Sequence, residues 1–326
     1  MKVIIPVAGK GTRMRPFTHS QPKALLPVAG KAIIDHIVDR IVPLEPTEVV
    51  FVTGHLGHAF PEHIKQRYPH LNARFVEQKE QRGTADAVWT ARSAFDSDVL
   101  VVFSDTIFDA DLRIIKDCQC DGIIWAKEVS DPSRFGVCVI DEDGILTRIV
   151  EKPATFVSNL ANIGLYYVKD TAAFANGIEH TFKTTPQGRE FYLTSAFEHM
   201  IAHGKRLCVK PVMGWYDTGT VEETLETNRT LLDIHPGHAP KIDGVTIIPP
   251  VSIAPSAKIM NSTIGPHVTI ADHVTVENSV VKDAIIDAHS HVAGSKLTHS
   301  IIGQHVTVRD IEGSLLLGDH SRIGKG

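Results

Sequence analysis

Beyond Tyr216 the chain contains no Phe, Tyr or Trp, so any core in its C-terminal part must be built from aliphatic side chains alone. Those side chains recur at a near-constant step. Ile253, Ile259, Ile264, Ile270, Val276, Val281, Ile286, Val292, Leu297, Ile302 and Val308 follow one another at intervals of five or six residues, with turn-forming residues after several of them, as in IGPHVT, IADHVT and IGQHVT. A hexapeptide repeat of this kind predicts a parallel β-helix, in which each short strand stacks its inward aliphatic on the next coil. An ordinary sandwich of short strands would alternate apolar and polar residues over longer periods. The clear repeat is long enough for three to four turns. His267, His273, His289, His291, His299 and His305 lie within it, most of them just after IGP, IAD or IGQ, and are read as solvated corners in preference to catalytic groups.

The preceding residues have a different pattern. Apolar runs at 3–8, 48–54, 73–78 and 98–105 alternate with helix-like stretches around 31–42, 57–67 and 84–95, which predicts an α/β fold with a doubly wound, mixed and mostly parallel sheet. After Asp105, GIIWAKEV, GVCVID, ILTRIVEKP and IGLYYVKD suggest further strands, partly antiparallel, and helices are expected at 170–178, 193–203 and 220–232. DIHPGHAPKIDG reads as a linker. The expected organisation is a Rossmann-like domain over 1–235, a linker over 236–250 and the β-helix over 251–326.

Composition removes several function classes. A net charge of -5 and the absence of any Lys/Arg run argue against a nucleic-acid partner. No stretch approaches eighteen apolar residues, and MKVIIPVAGKG is broken too soon by Pro6 and Gly9 to be a signal segment, so no membrane partner and a cytoplasmic location are expected. Cys118, Cys120, Cys138 and Cys208 form no C-x-x-C pair and are read as reduced thiols, with a zinc site through Cys118 and Cys120 as the lesser alternative.

In such sheets ligands gather beyond the carboxyl ends of the strands. The first strand runs into AGKGTRMRPFTHSQPKALLPV (8–28), and Lys2, Lys10, Arg13, Arg15, Lys23 and Lys31 all precede the first acidic residue, Asp35. Gly9 and Gly11 let the backbone approach an anion, and Arg13 can hold phosphate oxygens bidentately. The spacing matches neither G-x-x-x-x-G-K-[ST] nor G-x-G-x-x-G, since Met14 stands where the last glycine of the second would be. The plainer alternative is a tight turn with solvated basic side chains.

G-K-G-T-R-M-R-P-F-T followed by P-K-A-L-L-P-V resembles the signature of the sugar-1-phosphate nucleotidylyltransferases. QKEQRGTADAV (78–88), VVFSD (101–105), EKP (151–153) and GWYDTGT (214–220) match in the same order, and some members of that family carry a left-handed β-helix of hexapeptide repeats after the catalytic domain. The resemblance implies attack of a sugar 1-phosphate on the α-phosphorus of a nucleoside triphosphate, Mg2+ as cofactor, and a homo-oligomer formed through the C-terminal domain. It assigns Arg13, Lys23 and Lys152 to catalysis and Asp105 and Asp217 to the metal. Nucleotide contacts are expected from Ala8, Gly9, Gly11, Thr12, Gln78, Gly83 and Thr84, and sugar contacts from Gly136, Glu151 and Asn162.

Bland alternatives stand beside these roles: a helix cap or turn for an Asp after a strand, a surface pair for Glu151 and Lys152, and a buried structural amide for Asn162. Gln78 points to UTP or dTTP, because an amide matches the adjacent O and N–H of uracil or thymine, and glucose 1-phosphate is the favoured acceptor. Two positions depart from the family's usual pattern: Ser104 in place of Gly before Asp105, and Ser195 in YLTSA where relatives often carry Asp. Guanylyl transfer to mannose 1-phosphate, an added acetyl transfer by the β-helix, and a noncatalytic regulatory subunit are the rival expectations.

Overall fold

The computed structural model describes residues 1–324; Lys325 and Gly326, the last two of the expected 251–326 domain, lie outside the described residues. The chain divides into two compact units, one of Met1–Gly9 and Ile37–Trp215, the other of Lys10–His36 and everything from Tyr216 onward. The crossing points are Gly9–Lys10, His36–Ile37 and Trp215–Tyr216.

The first unit is built on a mixed sheet. Lys2–Pro6 lies between Glu48–Thr53 and Val99–Val102, parallel to both, and Ala73–Glu77 extends the parallel part. Leu160–Val168 then pairs antiparallel with Val99–Val102 and with Gly122–Glu128. Gly136–Ile140 with Leu146–Glu151 adds an antiparallel pair, and Leu207–Pro211 runs parallel to Gly122–Glu128. From Val3 onward the strand Lys2–Pro6, like Val99–Val102, is apolar on both faces and buried, as continuous aliphatic runs require when helices cover both sides. The helix expected at 170–178 runs on to Thr184, capped by the Asp170 carboxylate on the Ala173 N–H at 2.9 Å. The helix expected to 95 ends at Thr90 and continues only as the short turn Arg92–Ala94.

One expectation about the cysteines is overturned. Cys120 and Cys208 are joined in a disulfide across 88 residues, their Cα atoms 6.1 Å apart. The parallel pairing that sets Cys208 opposite Ile123 brings them together, and sequence spacing gave no hint of it. Cys118 and Cys138 are free, and burial pushes the Cys138 thiol up to about 12.

The second unit carries the β-helix. Among the described residues its strands wind five coils beginning at Thr246, Thr263, Val280, Lys296 and Glu312, each parallel to the next. The first pairing, Thr246–Ile247 on Thr263–Ile264, falls inside the stretch read as linker, where Pro249 and Pro250 obscure the repeat. All the aliphatics of the repeat are buried, and they stack in register: Ile253, Ile270, Ile286, Ile302 and Leu317 form one column, Ile259, Val276, Val292 and Val308 another. Between columns, buried Ser262, Ser279 and Ser295 each accept the N–H of the residue one coil on.

Corners are turned in the left-handed region, where Asn, Asp and His are tolerated best among residues with a side chain. His267, His273, His289, His299 and His305 all have φ between 49° and 61°. His291 does not; it lies in the strand His291–Ala293 and bonds Glu277 at 2.7 Å. The rings of His273, His289, His305 and His320 stack with centroids 5.0, 4.9 and 5.0 Å apart.

Ile286 is packed between Ile270 and Ile302, so Ile286→Ala leaves a void that neighbouring coils cannot close. We expect it to cost about 2–5 kcal/mol, read as a lowered denaturant midpoint for the transition that reports the β-helix.

Candidate functional site

The expected site residues are shared between the units, and each share has its own geometry. In the first unit the strand Leu160–Val168 is irregular between Asn162 and Tyr166, where Gly164 takes φ 79°. The irregularity serves two places at once. Gly164 O accepts the Phe103 N–H at 2.9 Å, and Thr106 Oγ1 donates to Ile163 O at 2.6 Å, which pins the turn 103–106 bearing Asp105. A Cβ on Gly164 would lie 3.2 Å from that of Phe103.

On the other side of the irregularity, Asn162 Nδ2 donates to Gly136 O at 2.7 Å, and the buried Tyr166 hydroxyl donates to Asn162 Oδ1. Glu151 joins them: a Cβ built on Gly136 would stand 2.1 Å from Asn162 Nδ2, 2.9 Å from Thr194 Cγ2 and 3.1 Å from Glu151 Oε2. Gly136, Glu151 and Asn162 are thus brought together, and only glycine fits at 136. Burial raises the Glu151 carboxyl, against the Lys152 charge and a hydrogen bond from Thr194 Oγ1 at 3.1 Å. Tyr166 is raised well above its ordinary value by burial, then by the Glu151, Cys138 and Asp105 charges.

Lys152 adopts φ 44°, a strained conformation for a side-chain-bearing residue, fixed by its N–H on Phe135 O at 2.9 Å. Its ammonium is 3.8 Å from Glu151 Oε1 and 5.0 Å from the centre of the Tyr192 ring.

The expected nucleotide-binding turn is equally constrained. Gly83 has φ 128°, and a Cβ there would be 2.5 Å from Phe191 O. Thr84 opens the helix Thr84–Thr90 and its hydroxyl accepts the Leu193 N–H at 2.9 Å. Buried Gln78 donates its amide to Asp86 Oδ2 at 2.7 Å, while Arg82 holds Asp86 Oδ1 at 2.6 Å, so a base edge would meet Gln78 through its carbonyl oxygen. Ala8, at the end of the first strand, receives a hydrogen bond on its carbonyl from Gln81 Nε2 and is crossed closely by Gly54. Gly9 has open space where a Cβ would point.

In the second unit Gly11 (φ 60°) folds against Thr18, whose hydroxyl donates to Gly11 O at 2.8 Å, and a Cβ on it would lie 3.3 Å from that of Lys23. Thr12 and Arg13 form the short turn Thr12–Met14, and Lys23 opens the turn Lys23–Leu25. Arg13 and Asp217 meet at Gly219: a Cβ there would stand 3.0 Å from Asp217 Oδ1 and 3.2 Å from Arg13 Nη2. The Gly219 N–H donates to Asp217 Oδ1 at 2.7 Å.

Sequence reasoning missed Tyr166, Tyr192, Thr194, Gln81 and Asp86. Two signals were available: Gln81 and Asp86 lie within QKEQRGTADAV, and Tyr192 and Thr194 lie within the atypical YLTSA. Among the described residues no group of three His, Cys, Asp or Glu side chains is placed to hold a metal ion, and no helix is long and apolar enough to cross a membrane.

Residues 2–234 match the nucleotidyl transferase family. The chain is 35% identical over 233 residues to the bifunctional protein GlmU of Methanocaldococcus jannaschii, covering 72% of this chain and 55% of the relative. It therefore spans about half the length of that relative. Over 240 residues it is 31% identical to the UTP–glucose-1-phosphate uridylyltransferase AglF of Haloferax volcanii, with 71% and 96% covered. The glucose-1-phosphate thymidylyltransferase of Streptomyces antibioticus is 29% identical over 358 residues, 99% of each chain.

Tyr166→Phe removes a buried donor from Asn162 and should lower stability by about 1 kcal/mol, measured by thermal denaturation. Because burial raises Glu151 above its usual 4.5, the fold keeps that proton to higher pH than the unfolded chain does. Stability then falls as pH rises from 4.5 through the folded value, and Glu151→Gln should flatten that fall in melts run across the same window.

Proposed function

The chain belongs to the nucleotidyl transferase family, and we propose on that premise that it transfers a nucleotidyl group from UTP or dTTP to glucose 1-phosphate, releasing pyrophosphate. The carrying observation is the convergence of Gly136, Glu151 and Asn162 around a position where only glycine fits, beside the strained Lys152. That arrangement has hydrogen-bond acceptors for sugar hydroxyls and a cation for the sugar phosphate. An exposed ion pair would need neither the burial of Glu151 nor the backbone strain at Lys152.

In the reaction a phosphate oxygen of the sugar 1-phosphate forms a bond to the α-phosphorus, and the bond from that phosphorus to the bridging oxygen breaks. Pyrophosphate carries away the electron pair, and no covalent enzyme intermediate is involved. The protein's task is to align the ends and neutralise charge. Arg13 and Lys23 grip the triphosphate, assisted by backbone N–H groups between Ala8 and Thr12. Lys152 holds the attacking phosphate. Gln78 Oε1 accepts the N–H of a uracil or thymine edge, with the backbone at Gly83 and Thr84 completing the base site.

Asp105 and Asp217 supply hard oxygen donors that fit Mg2+, an ion usually held by one or two carboxylates together with substrate phosphates. When bound, it neutralises phosphate charge and fixes phosphate orientation. Similarity to Haloferax and Streptomyces proteins with uridylyl- and thymidylyltransferase names favours a pyrimidine triphosphate.

Exposed Ile248, Met260, Val280, Leu316 and Ile323 on the β-helix support assembly of copies through that domain. The match to bifunctional relatives motivates a second reading, in which the β-helix also transfers acetyl groups. The corner histidines argue against it, since they stack on one another or bond carboxylates.

Pyrophosphate release, assayed over four triphosphates and several sugar phosphates with Mg2+, should be greatest for UTP or dTTP with glucose 1-phosphate. No release with any pair by folded protein would refute the proposal. Asp105→Asn and Asp217→Asn should each stay folded and lose nearly all turnover.

A further inference from the structure

Residues Lys10–His36 belong to the same compact unit as the β-helix, although the whole sheet-bearing unit separates them in sequence. Within that segment, up to the helix beginning at Ile33, the regular structure is three isolated short turns and the pairing of Pro27–Val28 with Lys31–Ala32. Turns that short have no cooperative stability of their own.

The β-helix surface supplies what they lack. Buried Phe17 and Leu26 line a cleft whose other side is Ile285, Ile301 and Ile302. At the hairpin tip, Gly30 comes so near Ser252, in the strand Val251–Ile253, that a Cβ would fall 2.1 Å from the serine Oγ.

Asp287, which also lines the apolar cleft, belongs to a polar anchor. Gln21 Nε2 donates to Asp287 Oδ2 at 2.8 Å, and Gln304 Nε2 donates to Gln21 Oε1 at 3.2 Å. Ser20 Oγ donates to Asp319 Oδ2, while Asp319 Oδ1 accepts the Gln304 N–H at 2.7 Å. Asp287 is 5% exposed, and its second oxygen accepts the Ala288 N–H at 2.7 Å. Burial pushes its carboxyl up to about 6, a direction that the Asp319 charge reinforces. A carboxylate so deep is costly unless its hydrogen bonds are made, so its contact with Gln21 is one the fold keeps closed.

We propose that the β-helix is the mould of the phosphate-binding loop, and that Gln21, clamped between Asp287 and Gln304 two residues before Lys23, is the positioning residue that transmits its shape. This rests on the reading of the 8–28 loop as a triphosphate cradle. Gln21 itself does not touch substrate; it fixes where the Lys23 backbone begins.

The test is calorimetric binding of UTP and dTTP, together with KM and kcat, for the full chain and for Gln21→Ala, Asp287→Ala and the double variant. Each single change should weaken triphosphate binding about tenfold, the equivalent of one hydrogen bond to a charged group. The KM for sugar phosphate should stay near the wild-type value, and the double variant should be no worse than either single one. Failure of the wild type to bind either triphosphate would overturn the cradle reading and this inference with it. Binding by the wild type with undiminished affinity in the folded variants, or loss that falls equally on both substrates, would overturn this inference alone. Should Asp287→Ala not fold, Gln21→Met, which keeps the side chain's length without its amide, carries the same expectation.

Discussion

Aliphatic stacking from coil to coil is the contact on which the second unit depends. Each of Ile253, Ile270, Ile286 and Ile302 completes the burial of its neighbour, so no coil has a core by itself. A straight column of this kind gives a rigid wall. The segment Lys10–His36 has almost no regular structure and takes its form from that wall, through Phe17 and Leu26 on the apolar side and Gln21 on the polar side. Rigidity in the β-helix thus becomes geometry at Arg13 and Lys23, residues far earlier in sequence.

The first unit reaches precision differently, by close approach at glycine. Gly83 against the Phe191 backbone and Gly136 against Asn162 are places where a single added carbon has no room, and at Gly164, in the left-handed region, it would crowd Phe103 at 3.2 Å. Each lies next to a residue given a role in the proposed reaction: Thr84, Glu151 and Asp105. Charge follows the same arrangement. Burial raises the Glu151 carboxyl, against the pull of the Lys152 ammonium 3.8 Å from its Oε1.

Much of this was legible in the sequence, and what was not has physical reasons. The β-helix could be read because its period is set by geometry and its core has no aromatic residue to disturb the pattern. The coil starting at Thr246 was hidden by Pro249 and Pro250, and the Cys120–Cys208 bond by strand pairing between residues distant in the chain. Local motifs named Gly136, Glu151 and Asn162 separately; that Glu151 faces Gly136 across an antiparallel pair, with Asn162 bonding Gly136 from the adjoining strand, is a property of the sheet register. Gln21 stood in plain sight between Arg13 and Lys23, yet nothing local distinguishes it from any polar loop residue. Its meaning comes from Asp287 and Gln304.

The central claim is that one cradle, formed at Arg13 and Lys23, receives the triphosphate and that Asp105 and Asp217 serve its metal. A crystal structure of the protein grown with UTP or dTTP, a non-reacting sugar 1-phosphate analogue and Mg2+ tests it most directly. The account predicts phosphate density against Arg13 and Lys23, with a metal peak contacting both carboxylates. Triphosphate bound elsewhere, with those four side chains touching neither phosphate nor metal, would contradict it.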